Sequence, residues 1–188
     1  MTIPRLVGSL SPAAAQAGAT ELLVLLPSLG TSSAMWDGVV SRLRPTHQNL
    51  RVLSVDLPGH GVSPVARHPF SISELAAAVL QLVDDVGGGS FWVAGVSLGG
   101  VIALELALQA PQRVRGFAMF SSGSSIGTAE GWAARVEQVR RSGTASLVTA
   151  SAERWFAEGF LANDPHQAGA AQLSKLVDVD DESYALDV

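Results

Sequence analysis

Short apolar runs alternate with segments of helical periodicity over the first two thirds of the chain. A capping box, in which Ser71 is followed three residues later by Glu74, marks the start of one of these helices. Glu21–Leu26 has the length and continuous apolar character of a strand buried on both faces, and three later runs are also predicted to be strands: Leu50–Val55, Phe91–Gly95 and Val114–Ser121. Because strands separated by helices pair in parallel, this order predicts an α/β fold with a parallel sheet and flanking helices.

The strand pattern stops after Ser125, and only helical patterns follow. The predicted helices are Ala129–Arg141, Thr144–Gly159, Pro165–Val177 and Asp181–Leu186. We therefore divide the chain into a core over residues 1–125 and a helical lid over residues 126–188.

Composition narrows the function classes. The chain has 188 residues, of which 47% are hydrophobic, enough for one packed core. It has no cysteine, which excludes disulfides, a cysteine nucleophile and thiolate metal sites. A net charge of −5 without a basic stripe argues against nucleic acid as a partner. We expect a cytoplasmic enzyme acting on small molecules, with no membrane span, metal or cofactor.

The N-terminus carries a weak resemblance to an export signal. Arg5, the stretch Leu6–Leu10 and the small residues of Ala15-Gln16-Ala17 follow the order of a signal peptide. Gly8 and Pro12 interrupt the apolar region that such a signal needs. We therefore expect the protein to stay in the cytoplasm.

A Gly-x-Ser-x-Gly pattern at Gly95-Val96-Ser97-Leu98-Gly99 lies between a predicted strand and a predicted buried helix. The pattern alone is weak evidence, but in this context it predicts a sharp strand-to-helix turn that exposes the serine hydroxyl as a nucleophile. Such a turn requires side chains two residues away to be nearly absent, and Gly95, Gly99 and Gly100 meet that requirement. The alternative is a glycine-rich turn with a structural serine.

Acyl transfer also needs two backbone N–H groups directed at the developing oxyanion. We expect the amide of Leu98, directly after the nucleophile, and the amide of Leu29, in the loop after the first predicted strand. The alternative for Pro27–Gly30 is an ordinary strand-to-helix turn.

These motifs together resemble the α/β-hydrolase superfamily and, within it, the 3-oxoadipate enol-lactonases of the β-ketoadipate pathway. The segments that carry the resemblance are Pro27-Ser28-Leu29-Gly30-Thr31, Met35-Trp36, Asp56-Leu57-Pro58-Gly59-His60-Gly61-Val62-Ser63, Gly95–Gly100, Ile126-Gly127, Trp132, Arg135, Val139-Arg140 and Glu153-Arg154-Trp155-Phe156. The resemblance covers about residues 20–188. It implies that Ser97 opens an enol-lactone through an acyl-enzyme to give 3-oxoadipate.

The same resemblance implies that the lid binds the substrate carboxylate. Arg135 is the first candidate, and the alternative is a solvated helix residue. Trp132 and Trp155 are candidates for the pocket wall, but their helical spacing suits the core of the lid equally well. The other functions that fit this fold are a carboxylesterase, a C–C hydrolase and a non-catalytic scaffold. Dehalogenases and epoxide hydrolases of the family are disfavoured because they carry Asp where Ser97 stands.

A catalytic base is missing from the expected position. In this fold the acid and the histidine follow the serine along the chain. Only His166 follows Ser97, and it lies in the predicted lid beside Asp164, so we do not expect it to be the base. His60 belongs to the Pro-Gly-His-Gly turn, which the family uses structurally. We therefore expect an N-terminal part of a longer enzyme, inactive alone, whose partner is the missing C-terminal segment or a second copy.

Overall fold

A five-stranded sheet forms the centre of the protein in the computed structural model, which describes residues 3–13 and 20–187. The strands lie in the order β1-β3-β2-β4-β5. Their bounds are Val7–Ser11 for β1, Glu21–Leu26 for β2, Leu50–Asp56 for β3, Phe91–Val96 for β4 and Val114–Phe120 for β5. Strands β2 to β5 pair in parallel, as the sequence predicts. None of the helices in the described ranges has the length and apolar character needed to cross a bilayer.

The first strand adds an antiparallel edge to the predicted parallel sheet. Strand β1 runs antiparallel to β3, with Val7 opposite Asp56 and Ser11 opposite Val52. Its side chains are only half-buried or exposed, so this edge strand lacks the continuous apolar run by which the inner strands are recognised. The stretch that resembles an export signal is therefore partly a sheet edge; Ala15–Ala17 lies outside the described residues.

Seven helices surround the sheet in the described part of the chain. They are α1 at Asp37–Leu43, α2 at Ile72–Asp85, α3 at Leu98–Gln109, α4 at Ala129–Ser142, α5 at Val148–Trp155, α6 at Ala168–Val177 and α7 at Asp181–Leu186. The capping box of α2 is present, because the Ser71 hydroxyl accepts from the Glu74 amide and the Glu74 carboxylate accepts from the Ser71 amide. Two predicted helices are shorter than expected. Thr144–Leu147 is a 3₁₀ turn that precedes α5, and α6 begins only after Gln167, which adopts the left-handed conformation.

Apolar residues pack on both faces of the sheet. Helices α2 and α3 cover one face, where Val79, Ile102 and Leu106 are fully buried against β2, β3 and β4. On the other face, Trp36 packs against Leu25 of β2 and Val52 of β3. This two-sided burial explains why the inner strands are continuously apolar in the sequence.

The four helices of the lid have an apolar core that reaches into the loop after β2. Val139, Leu147, Leu176 and Tyr184 are buried in this cluster, and Leu29 is buried with them. Helix α7 also contacts the turn after β3: the Asp180 amide donates to the Gly59 carbonyl at 3.1 Å. The division at residues 125 and 126 stays a prediction, but the lid is packed against the loop that borders the predicted nucleophile.

Candidate active site

Ser97 is held in a strained backbone conformation between β4 and α3. Its φ is 52° and its ψ is −118°, a region that residues with side chains rarely occupy. The Ser97 amide donates to the carbonyl of Phe120 at 3.0 Å, and the Ser122 hydroxyl donates to the Ser97 carbonyl at 2.7 Å. The neighbouring end of β5 thus fixes both backbone polar groups of this residue, which is the geometry expected of a nucleophile elbow.

The three glycines around Ser97 allow the close backbone approach that this turn needs. A Cβ added to Gly95 would lie 2.1 Å from the backbone of Gly99, and one added to Gly99 would lie 2.5 Å from the Leu26 carbonyl oxygen. A Cβ on Gly100 would lie 2.5 Å from the Ser122 hydroxyl. The sequence-based reason for these glycines is confirmed, because backbone atoms occupy the space of the missing side chains at Gly95 and Gly99.

A buried histidine holds the loop that contains Leu29. The Gly30 amide donates to His60 Nε2 at 3.0 Å, and His60 Nδ1 lies 2.8 Å from the Pro58 carbonyl oxygen. This pair of contacts places the proton on Nδ1 of a neutral ring. The ring is completely buried, and burial lowers the pKa of His60 from 6.5 to about 4. Both nitrogens are engaged with the backbone, so His60 has a positioning role, as expected from the sequence.

The carboxyl group of Asp187 packs against the same histidine. Its Oδ2 lies 3.6 Å from His60 Nδ1, both side chains are inaccessible to solvent, and neither oxygen has a hydrogen-bond donor within the described residues. Burial raises the pKa of Asp187 well above its ordinary value. Because burial favours the neutral form of each group, we treat this contact as a neutral one and not as an ion pair.

A second buried carboxylate ties the same loop to the turn after β3. Asp56 Oδ1 accepts from the Ser33 amide at 2.6 Å, and Asp56 Oδ2 accepts from the Val62 amide at 3.0 Å. Asp56 ends β3 and is itself buried. One carboxylate therefore fixes the segment after the predicted oxyanion loop relative to the Pro-Gly-His-Gly turn.

Ser97 opens into a cavity of about 270 Å³ between the sheet and the lid. Its lining residues are Ser28, Leu29, Thr31, Met35, Val96, Ser97, Ser121, Ile126, Trp132, Arg135, Arg154, Trp155, Phe156 and Gln172. The cavity therefore brings together all but one of the residues predicted for the site. The exception is Leu98, which follows Ser97 directly as the first residue of α3. Its amide is one of the N-terminal N–H groups of that helix, which have no partner within the helix.

Arg135 is held by aromatic side chains at the cavity wall. Its guanidinium lies 5.5 Å from the centre of the Trp132 ring and donates to the Tyr184 hydroxyl at 3.3 Å. Within the described ranges, no carboxylate lies within 4.0 Å of Arg135 or Arg154. Trp132 and Trp155 both line the cavity and pack on the core of the lid, and their contact with a substrate stays a prediction.

None of the chain's four histidines, all of which are described, lines the Ser97 cavity. His47, His68 and His166 are exposed, and His60 is engaged with the backbone. His166 donates its backbone amide to Asp164, and its ring takes no part in the site.

The sequence analysis did not single out Gln172 or Tyr184. Gln172 lines the cavity, and Tyr184 orients Arg135. Each lies in a lid helix whose orientation no local pattern reveals. The one usable signal was that Tyr184 is the only tyrosine of the chain.

Comparison with known proteins places this geometry in a family. Residues 21–175 match the sequence model of the alpha/beta hydrolase fold. The chain belongs to the alpha/beta hydrolase family. A solved relative, the enol-lactonase from Burkholderia xenovorans LB400, superposes with a TM-score of 0.87 at 30% identity over 96% of this chain and 67% of that one.

Two kinds of curated relative share the sequence. The 3-oxoadipate enol-lactonase 1 of Acinetobacter baylyi is 31% identical over 87% of this chain and 59% of its own length. The pimeloyl-[acyl-carrier protein] methyl ester esterase of Nitrosomonas europaea is 39% identical, but over only 53% of this chain and 36% of its own length. The chain spans between about half and three fifths of the two enol-lactonases of Acinetobacter baylyi that it matches (52% and 59%).

Proposed function

We propose that this alpha/beta hydrolase is part of a serine hydrolase that opens 3-oxoadipate enol-lactone to 3-oxoadipate. In this proposal the chain provides the nucleophile, Ser97, and the arginine in the cavity wall that binds the substrate carboxylate, Arg135. The observation that carries the proposal is one cavity with Ser97 at a strained elbow and with an arginine that has no carboxylate partner in the described residues. The similarity to enol-lactonases at 30–31% identity supports the choice of substrate.

The chemistry follows from the positions of the groups. Ser97 Oγ would attack the lactone carbonyl, while the amides of Leu29 and Leu98 would donate to the oxyanion. Collapse would break the ring C–O bond and leave a ring-opened acyl-enzyme on Ser97. The general base would pass the proton taken from Ser97 Oγ to the enol oxygen, which stays attached to the acyl chain, and the enol would become a ketone. Water would then cleave the acyl-enzyme and give the free acid. Arg135 would hold the substrate carboxylate by a charge-assisted hydrogen bond throughout.

The general base has to come from another polypeptide segment in this proposal. A serine hydroxyl without a base is a poor nucleophile at neutral pH, and no histidine lines the cavity in the described residues. A further segment of the protein, covalently continuous or separate, would therefore complete the site. A cytoplasmic location also stays a prediction.

The test of the nucleophile compares Ser97→Ala with the unchanged protein, both supplied with the completing segment. We expect turnover of the lactone to fall by roughly 10⁴–10⁶, the usual effect of removing a member of a catalytic triad. Retention of a tenth of the turnover would remove Ser97 from the mechanism. The 188-residue chain alone should not react detectably with a fluorophosphonate, and rapid labelling at Ser97 would show that a base lies within it.

An ester hydrolase acting on a neutral substrate is the second candidate, favoured by the 39% identity to the methyl ester esterase. Arg135→Ala separates the two. For an acidic lactone we expect a loss of roughly 1.5–3 kcal/mol in transition-state binding, or about 10–150-fold in kcat/KM, with little change for a neutral ester. Equal losses on both substrates would show that Arg135 supports the lid and binds no carboxylate.

A further inference from the structure

A second cavity of about 280 Å³ lies against the first. The two cavities have Trp132, Arg135 and Arg154 in common, so these three side chains form a shared wall. The remaining lining residues of the second cavity are Gly127, Thr128, Gly131, Ala134 and Gln138. Gly127 and Thr128 precede α4, Gly131 lies in its first turn, and Ala134 and Gln138 lie further along the same helix.

The charge in the two cavities is opposite to that of the chain. The chain has a net charge of −5, yet no Asp or Glu lines either cavity. Four arginines in the described ranges pair with a carboxylate: Arg113 with Asp84, Arg115 with Glu21, Arg140 with Glu182 and Arg141 with Glu137. Arg135 and Arg154 belong to the larger group of arginines without such a partner in those ranges, and they are the two that line these cavities.

The two arginines differ in how they are held. Arg135 is half-buried and fixed by Trp132 and Tyr184, whereas Arg154, in the last turn of α5, is exposed and borders both cavities. The first turn of α4 contributes no free positive end to the second cavity, because Glu130 lies in that turn and the Thr128 hydroxyl already accepts from the Gly131 amide. An anion in the second cavity would therefore meet the Arg154 guanidinium, which has no carboxylate partner in the described residues.

We propose that the second cavity is an outer carboxylate-binding site, with Arg154 as its principal donor, next to the cavity that contains Ser97. The proposal rests on the proposed function only for the class of ligand, a small aliphatic carboxylate. An acidic substrate held there would lie beside Arg135, which also lines the cavity that contains Ser97. The site would thus raise the local concentration of acidic substrates beside the Ser97 cavity, with which it shares a wall.

Hydrogen exchange measured by mass spectrometry can test this site on the 188-residue chain itself, without any need for activity. The probe is adipate, and the neutral control is hexane-1,6-diol, which has the same carbon length. Exchange at residues 127–131 reports the second cavity, and exchange at residues 28–31 reports the Ser97 cavity, since each segment lines only one of them. We expect adipate to slow exchange at residues 127–131 and the diol to leave it unchanged.

Two variants localise the effect. Arg154→Gln should weaken adipate binding at residues 127–131 by about tenfold or more, the effect of losing one charge-assisted contact. The matched control is Arg140→Gln, which removes an exposed arginine of α4 that pairs with Glu182 and lines neither cavity. Ala134→Leu fills only the second cavity and should remove the protection there while leaving the response at residues 28–31.

Several outcomes would overturn the proposal: no protection at residues 127–131, equal protection by the diol, an adipate affinity that is unchanged in Arg154→Gln, or protection that is unchanged in Ala134→Leu. If Arg154→Gln fails to fold, as judged by circular dichroism, Ala134→Leu decides alone. If Ser97→Ala retains a tenth of the lactone turnover while adipate still protects residues 127–131, the catalytic proposal is rejected and the proposal of the second site is retained.

Discussion

Replacing Gly95 with alanine tests whether the elbow is as tightly packed as the structure indicates. The new Cβ would lie 2.1 Å from both the carbonyl carbon and the oxygen of Gly99, and 2.5 Å from the Gly100 nitrogen. Ordinary contacts are at least 3.4 Å, and the obstructing atoms are backbone atoms that no rotamer change can move. Either β4 or the start of α3 must therefore shift.

The expected cost is at the upper end of the range for overpacking, about 3 kcal/mol. Gly89→Ala is the matched control, because nothing lies within 4 Å of its added Cβ and its φ is not positive. That change should stabilise the chain by roughly 0.4–1 kcal/mol through the entropy of the unfolded state. The free energies of unfolding of Gly95→Ala and Gly89→Ala should thus differ by about 3–4 kcal/mol.

Urea denaturation followed by circular dichroism measures this difference. With a slope of about 2 kcal/mol/M, the midpoint of Gly95→Ala should lie roughly 1.5–2 M below that of Gly89→Ala. Midpoints within 0.3 M, about the uncertainty of such curves, would refute the claim that the backbone fills the space beside Gly95.

Three further predictions concern stability and association. Substituting His60 by leucine leaves the Gly30 amide and the Pro58 carbonyl buried without a partner, so we expect a loss of about 2–6 kcal/mol in urea denaturation, and an unchanged midpoint would contradict the hydrogen bonds described. Because burial raises the pKa of Asp187, the folded state keeps a proton on this carboxyl that the unfolded state releases above pH 3.8. Asp187→Asn removes this proton-linked cost, so it should stabilise the protein increasingly as the pH rises above 3.8. In the Asp187→Asn variant, the titration of His60 should make the protein less stable at low pH. Because the pKa of His60 falls from 6.5 to about 4 on folding, the free energy of unfolding should decrease by roughly 3 kcal/mol as the pH drops through this interval. A profile that is flat over this interval would argue against a buried neutral ring. Finally, Phe117 is 45% exposed on the edge strand β5, so we expect the unchanged chain to self-associate in size-exclusion chromatography and Phe117→Lys to reduce this; a monomeric unchanged chain would contradict the expectation.

Local sequence signals were sufficient for the inner strands and for the elbow. Strand β4 and helix α3 are strongly apolar, and the glycines around Ser97 satisfy a steric requirement that acts between residues close in sequence. The capping box at Ser71 is equally local. Strand β1 escaped prediction because its identity depends on pairing with β3, more than forty residues away, and not on its own composition.

The sequence by itself determined that this chain builds a parallel sheet with a serine at a sharp strand-to-helix turn, because periodicity, glycine spacing and capping act over a few residues. Only the tertiary structure decided what surrounds that serine. The roles of Tyr184, Arg154 and Gln172 depend on how the lid helices pack over the loop at Leu29, a contact between segments more than a hundred residues apart. The neutral state of His60 was likewise decided by burial, since the same imidazole in solvent would have an ordinary pKa.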